Sequence, residues 1–115
     1  MPADVTFTVP LPLRLHPAWQ AGARRNLAWL TERRLLSPRS ARLYDLFQSE
    51  RLVGYVFPYA TDRGLDLANR IVSVCTLLDD QFDGPVGRDP AAARRVSESF
   101  ITLLYDPGAA ARDGP

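Results

Sequence analysis

The chain has 115 residues, 46% hydrophobic and 23% charged, with a net charge of +1 and one cysteine, Cys75. That length holds a single domain or part of one, and it buries roughly two-thirds of its unfolded surface. No apolar run reaches the ~20 residues of a membrane span, and the balanced charge leaves no footprint for nucleic acid or an anionic membrane.

One cysteine excludes a disulfide framework and a cysteine-rich metal site. The opening Met1-Pro2-Ala3-Asp4 has neither a basic nor an apolar stretch, so it does not read as a secretory signal, and the expected compartment is the cytoplasm. All 14 basic residues are arginine, so lysine Schiff-base chemistry is impossible.

Residues 2–17 carry Pro2, Pro10, Pro12 and Pro17, which predict an extended strap. From Ala18 to about Leu36, Trp19, Ala23, Leu27, Leu30 and Leu35 recur at helical spacing, with Ser37-Pro38 as the stop. A short helix is expected from about Arg39 to Glu50, with Leu43, Leu46 and Phe47 inward. The aromatic-rich run Leu52–Tyr59 reads as a helix ending before Pro58.

Thr61 or Asp62 caps a long helix from about Arg63 to Phe82. Its broad apolar surface takes in Leu65, Leu67, Ala68, Ile71, Val72, Val74, Cys75 and Leu78. Gly84-Pro85 stops it, and Asp89-Pro90 opens a further helix with Ala93, Val96, Phe100, Leu103 and Leu104 as its apolar stripe. The fold class is all-α: helical residues to 105, then a disordered tail over 106–115.

The chemistry concentrates in Asp79-Asp80-Gln81-Phe82-Asp83, at the C-terminal end of the long helix. Spacings of three and four let Asp79, Asp80 and Asp83 project toward one side. Negative charge is disfavoured there by the helix dipole, and crowded carboxylates raise one another's pKa. Asp79 also continues the row Ala68, Val72, Cys75, which is expected to face the core. A hard divalent cation such as Mg²⁺ relieves these costs through carboxylate oxygens and substrate phosphates. Spacing alone leaves this reading open beside a solvated acidic helix end.

Context adds to the spacing. The strap Phe7-Thr8-Val9-Pro10-Leu11-Pro12, then Leu27-Ala28-Trp29, Phe57-Pro58-Tyr59-Ala60-Thr61, Leu65-Asp66-Leu67 and Asp79-Asp80-Gln81-Phe82-Asp83-Gly84-Pro85 occur in this order. In these segments the chain resembles the N-terminal part of class I terpene synthases, particularly bacterial sesquiterpene cyclases.

The resemblance implies the N-terminal helices of a larger α-helical bundle that holds an isoprenoid diphosphate, farnesyl diphosphate first. It implies Mg²⁺ as cofactor, Asp79 as the main bridging ligand, and weaker roles for Asp80 and Asp83. Isoprenyl diphosphate synthases carry a similar motif, usually with a nearby Arg-Arg pair after it; here Gly84 to Asp89 supplies only Arg88, which favours the cyclase. No aromatic stands in Val74-Cys75-Thr76-Leu77-Leu78, and Val56 replaces another customary aromatic.

The family's second metal motif and its diphosphate-sensing arginine would lie beyond Pro115. The 115-residue chain alone is therefore expected to be inactive, with an apolar helix face left open to self-association. The alternative is a non-catalytic helical module that buries this face on a partner. His16 at a helix start is expected to cap or to face solvent, and Cys75 to be a small buried hydrophobe. The Arg24-Arg25 and Arg33-Arg34 pairs are expected on solvated faces, and Trp19 and Trp29 in the core.

Overall fold

A computed structural model describes Thr6 and residues 8–108; the side chains of Leu43, Asp45 and Phe47 lie outside the described set. Every regular element among the described residues is a helix: α1 (Trp19–Glu32), α2 (Pro38–Phe47), α3 (Ser49–Val56), α4 (Asp62–Asp83), α5 (Pro85–Arg88) and α6 (Pro90–Tyr105). None is long and apolar enough to cross a membrane. The chain divides into two compact units between Ser73 and Val74, within α4.

Among the described residues no helix precedes Trp19, as the prolines dictate, and residues 2–5 and 7 of the expected strap lie outside the described set. The strap ends on His16, which is buried rather than solvated. Its backbone N–H donates to the Gly54 carbonyl at 3.0 Å, and its Nδ1 accepts the Ala18 N–H at 3.0 Å. Its Nε2 lies 2.8 Å from the Ala60 carbonyl. Two partners of opposite polarity assign the Nε2–H tautomer. His16 thus caps α1, which has no side-chain cap at Ala18, and ties it to the loop before α4.

Helix α1 ends earlier than its apolar spacing predicts. Arg34 adopts φ 53°, while the Leu35 N–H bonds the Leu30 carbonyl and the Arg34 N–H bonds the Thr31 carbonyl. This is a Schellman ending with arginine where glycine is usual. Ser37-Pro38 does not stop α1; it starts α2, with Ser37 Oγ accepting the Ser40 N–H at 3.1 Å. Gln48 at φ 45° separates α2 from α3. Thr61 Oγ1 accepts the Gly64 N–H at 3.1 Å and begins α4.

Among the described residues of the first unit, Leu30, Val53 and Leu65 are the buried hydrophobic residues, and His16, Asn26, Glu50, Asn69 and Ser73 are buried too. Asn26 Nδ2 donates to Glu50 Oε1 at 3.0 Å and Ser73 Oγ at 2.8 Å, with Tyr44 Oη at 3.1 Å. Gly22 permits the approach of α4: a Cβ there would stand 2.9 Å from Leu65 Cδ2 and 3.3 Å from Asn69 Nδ2. Leu46, expected inward, is exposed, as are Leu27 and Leu35 from the apolar spacing of α1; the side chains of Leu43 and Phe47 lie outside the described set.

The arginine pairs do more than solvate a face. The Arg25 guanidinium grips the Asp66 carboxylate at 2.8–2.9 Å, and that hydrogen bond holds Arg25 above its ordinary pKa. The Arg33 and Arg70 guanidinium carbons stand 4.8 Å and 5.3 Å from the centroid of the half-buried Trp29 ring.

In the second unit, α5 packs against α6, and neither has a buried residue. Asp89 Oδ1 accepts the Ala91 N–H at 3.0 Å and caps α6, with Pro90 in its first turn. The short α5 was not legible in Gly84-Pro85, which reads simply as a stop. Of the expected tail, Asp106–Gly108 forms a turn, and residues 109–115 lie outside the described set.

Candidate metal centre

The aspartate-rich segment occupies the last turn of α4. Asp79 and Asp83 are exposed and Asp80 is half-buried. That turn contains no basic residue, so the three carboxylates face the negative end of the helix dipole without local compensation. Among the described residues their side chains make no ion pair or hydrogen bond.

The expected core-facing row does not hold. Ala68 and Val72 are half-buried, but Cys75 and Asp79 are exposed. Asp79 therefore points to water at no desolvation cost, and needs no buried counter-charge. Cys75 is likewise not the buried small hydrophobe its helix position suggests.

The chain turns sharply after the motif. The Gly84 N–H returns to the Gln81 carbonyl at 3.2 Å, and Pro85 opens α5. A Cβ on Gly87 would overlap the Phe82 carbonyl, so α5 closes directly on the backbone between Gln81 and Asp83. This contact fixes the exit of the acidic turn, and sequence reasoning did not detect it.

The donor set consists of hard carboxylate oxygens, which fits Mg²⁺. The three carboxylates are not brought together as the spacing predicts: among the described residues, no three His, Cys, Asp or Glu side chains form a group that could hold a metal ion. A cavity of about 240 Å³ lies in the first unit, lined by Trp19, Ala23, Leu27, Tyr44 and Glu50 among others, and none of the three aspartates lines it.

No family model matches the chain. It is 33% identical over 108 residues to pentalenene synthase of Streptomyces avermitilis, covering 93% of this chain and 32% of that protein. It is 33% identical over 114 residues to a (-)-beta-caryophyllene synthase, (2E,6E)-farnesyl diphosphate cyclizing, of Saccharothrix espanaensis, covering 98% and 32%. The crystal structure of germacradien-4-ol synthase from Streptomyces citricolor superposes with a TM-score of 0.73 at 28% identity, over 89% of this chain and 34% of that one. The chain spans about a third of the length of the curated relatives it matches. In sequence and in fold it is related to the bacterial sesquiterpene synthases, and it corresponds to their N-terminal part.

Proposed function

We propose that the chain is the part of a cytoplasmic class I terpene cyclase that carries its aspartate-rich metal motif. Its substrate would be an isoprenoid diphosphate, farnesyl diphosphate first, a choice supported by the similarity to the farnesyl diphosphate cyclizing synthase of Saccharothrix espanaensis. The observation that carries the reading is an exposed, uncompensated DDxxD turn ending the long helix of a chain similar to these synthases in sequence and fold.

Asp79, Asp80 and Asp83 would hold Mg²⁺, which supplies Lewis-acid stabilisation of the charge developing on a departing diphosphate. Asp79 and Asp83, one turn apart and exposed, present their oxygens to solvent without breaking any existing contact. Gly87 and Pro85 hold the turn beneath them. These residues make one side of a site; the remainder of the fold would supply the other side and close the cavity against water.

The test is thermal melting of the 115-residue chain with Mg²⁺, inorganic diphosphate, or both. Both together, at about ten times Kd, should raise Tm by roughly 5 °C. Asp79→Asn should abolish the increment, and Asp83→Asn should reduce it less. A second reading, the non-catalytic helical module, is favoured by the absence of a converging metal group among the described residues. An unchanged wild-type Tm would make the acidic turn a solvated helix end.

A further inference from the structure

The first unit holds a cavity in which the acidic turn has no part. Trp19, Ala23 and Leu27 follow one another at i, i+4 spacing and form a row along α1. They line the cavity of about 240 Å³ together with Tyr44 of α2 and Glu50 of α3. Ala23 stands between the two larger side chains, and its single methyl group leaves room beside them. An apolar cavity of about 150 Å³ takes benzene. The larger space here suits an aromatic ring with a short chain.

The polar end of this cavity is a buried acid with an oxygen to spare. Glu50 is 4% exposed, and its Oε1 accepts from Asn26 Nδ2 at 3.0 Å. Among the described residues its side chain makes no other hydrogen bond and no ion pair. The fully buried unpaired side-chain atoms there belong to Asn26 and Asn69, so Glu50 Oε2 keeps access, and the cavity is what it opens onto. Asn26 cannot supply more. Its Nδ2 carries two hydrogens, yet three acceptors lie 2.8–3.1 Å away: Tyr44 Oη, Glu50 Oε1 and Ser73 Oγ. Arg24 also lines the cavity, but it is exposed and makes no ion pair among the described residues. The first turn of α3 offsets part of the cost of burying the charge through the helix dipole. A buried carboxylate with a single amide donor is still short of a cation.

We propose that this cavity is a binding site for a small organic ammonium cation with an apolar body. The ammonium donates to Glu50 Oε2, and the body lies along Trp19, Ala23 and Leu27. The Trp19 and Tyr44 rings add cation–π attraction. The site is independent of the metal reading, because its binding involves neither Mg²⁺ nor diphosphate nor Asp79.

The experiment is isothermal titration calorimetry of the 115-residue chain with 2-phenylethylammonium in the absence of Mg²⁺. Saturable one-to-one binding is expected, with a Kd of about 1 mM or tighter. Phenylacetate, of similar shape and opposite charge, should bind at least about tenfold more weakly. Glu50→Gln keeps an oxygen for Asn26 and removes the charge, and it should raise Kd about tenfold or more. Ala23→Leu fills the space between Trp19 and Leu27 and should abolish binding. If Glu50→Gln does not fold, the charge preference of the wild type and the block by Ala23→Leu decide the matter. No saturable binding by the wild type, equal affinity for phenylacetate, or unchanged affinity in either variant would each overturn the proposal.

Discussion

Replacing His16 by alanine should be among the most damaging single changes outside the acidic turn. The side chain is 5% exposed and bonds the Ala60 carbonyl at 2.8 Å and the Ala18 N–H at 3.0 Å. Its removal strands one acceptor and one donor. Each lost bond contributes about 0.5–1.5 kcal/mol net, and more where the partner stays dry. With the lost ring packing, His16→Ala should cost about 2–4 kcal/mol, against about 5–15 kcal/mol for a whole domain. His16→Asn separates the parts, because its amide oxygen can take over the Nδ1 role at Ala18 but cannot reach Ala60. It should cost about half as much, since it keeps one of the two bonds. Urea melts of the wild type and both variants measure this. A cost below about 0.5 kcal/mol for His16→Ala, or equal costs for the two variants, would refute the two-bond clamp.

The buried amides should respond in opposite directions. Asn69 has neither its Nδ2 nor its Oδ1 hydrogen-bonded, so Asn69→Leu should stabilise by about 1 kcal/mol in the same urea assay. Asn26→Leu strands Glu50 and Ser73, and should destabilise by about 2–4 kcal/mol. Gly87→Ala would drive its methyl into the Phe82 carbonyl; it should unseat α5, and the Mg²⁺-diphosphate increment in Tm should fall with it.

Several features of this fold could be read directly from residues. Thr61 and Asp89-Pro90 are strong start signals, and both caps form. The aspartate spacing is likewise explicit in the sequence. The breaks between helices are harder to see, because α1 ends at Arg34 and α2 gives way to α3 at Gln48, both left-handed without glycine. A left-handed residue carrying a side chain costs roughly 1–2 kcal/mol and leaves no compositional mark, so tertiary packing must support it. At Arg34 the Leu35 N–H to Leu30 carbonyl bond is part of that support, because it anchors the turn on a fully buried leucine.

Periodicity shows which residues of α4 share a face, but not which face turns inward. Apolar residues cover so much of α4 that several orientations look equally good from sequence. The choice falls to the opposing surface of α1, where Gly22, Asn26 and Leu30 lie one turn apart. Gly22 offers a gap that Leu65 fills, and Asn26 offers an amide that Ser73 accepts. The bonds from Asn26 Nδ2 to Ser73 and Glu50 decide which side of α4 turns inward, although among the described residues Asn26 Oδ1 is itself buried without a partner. The same choice leaves Asn69 dry and unpartnered against Gly22, and leaves Leu67 and Ile71 outside. The α1–α4 contact therefore specifies orientation through its polar members, and its incomplete burial is a consequence of that specification.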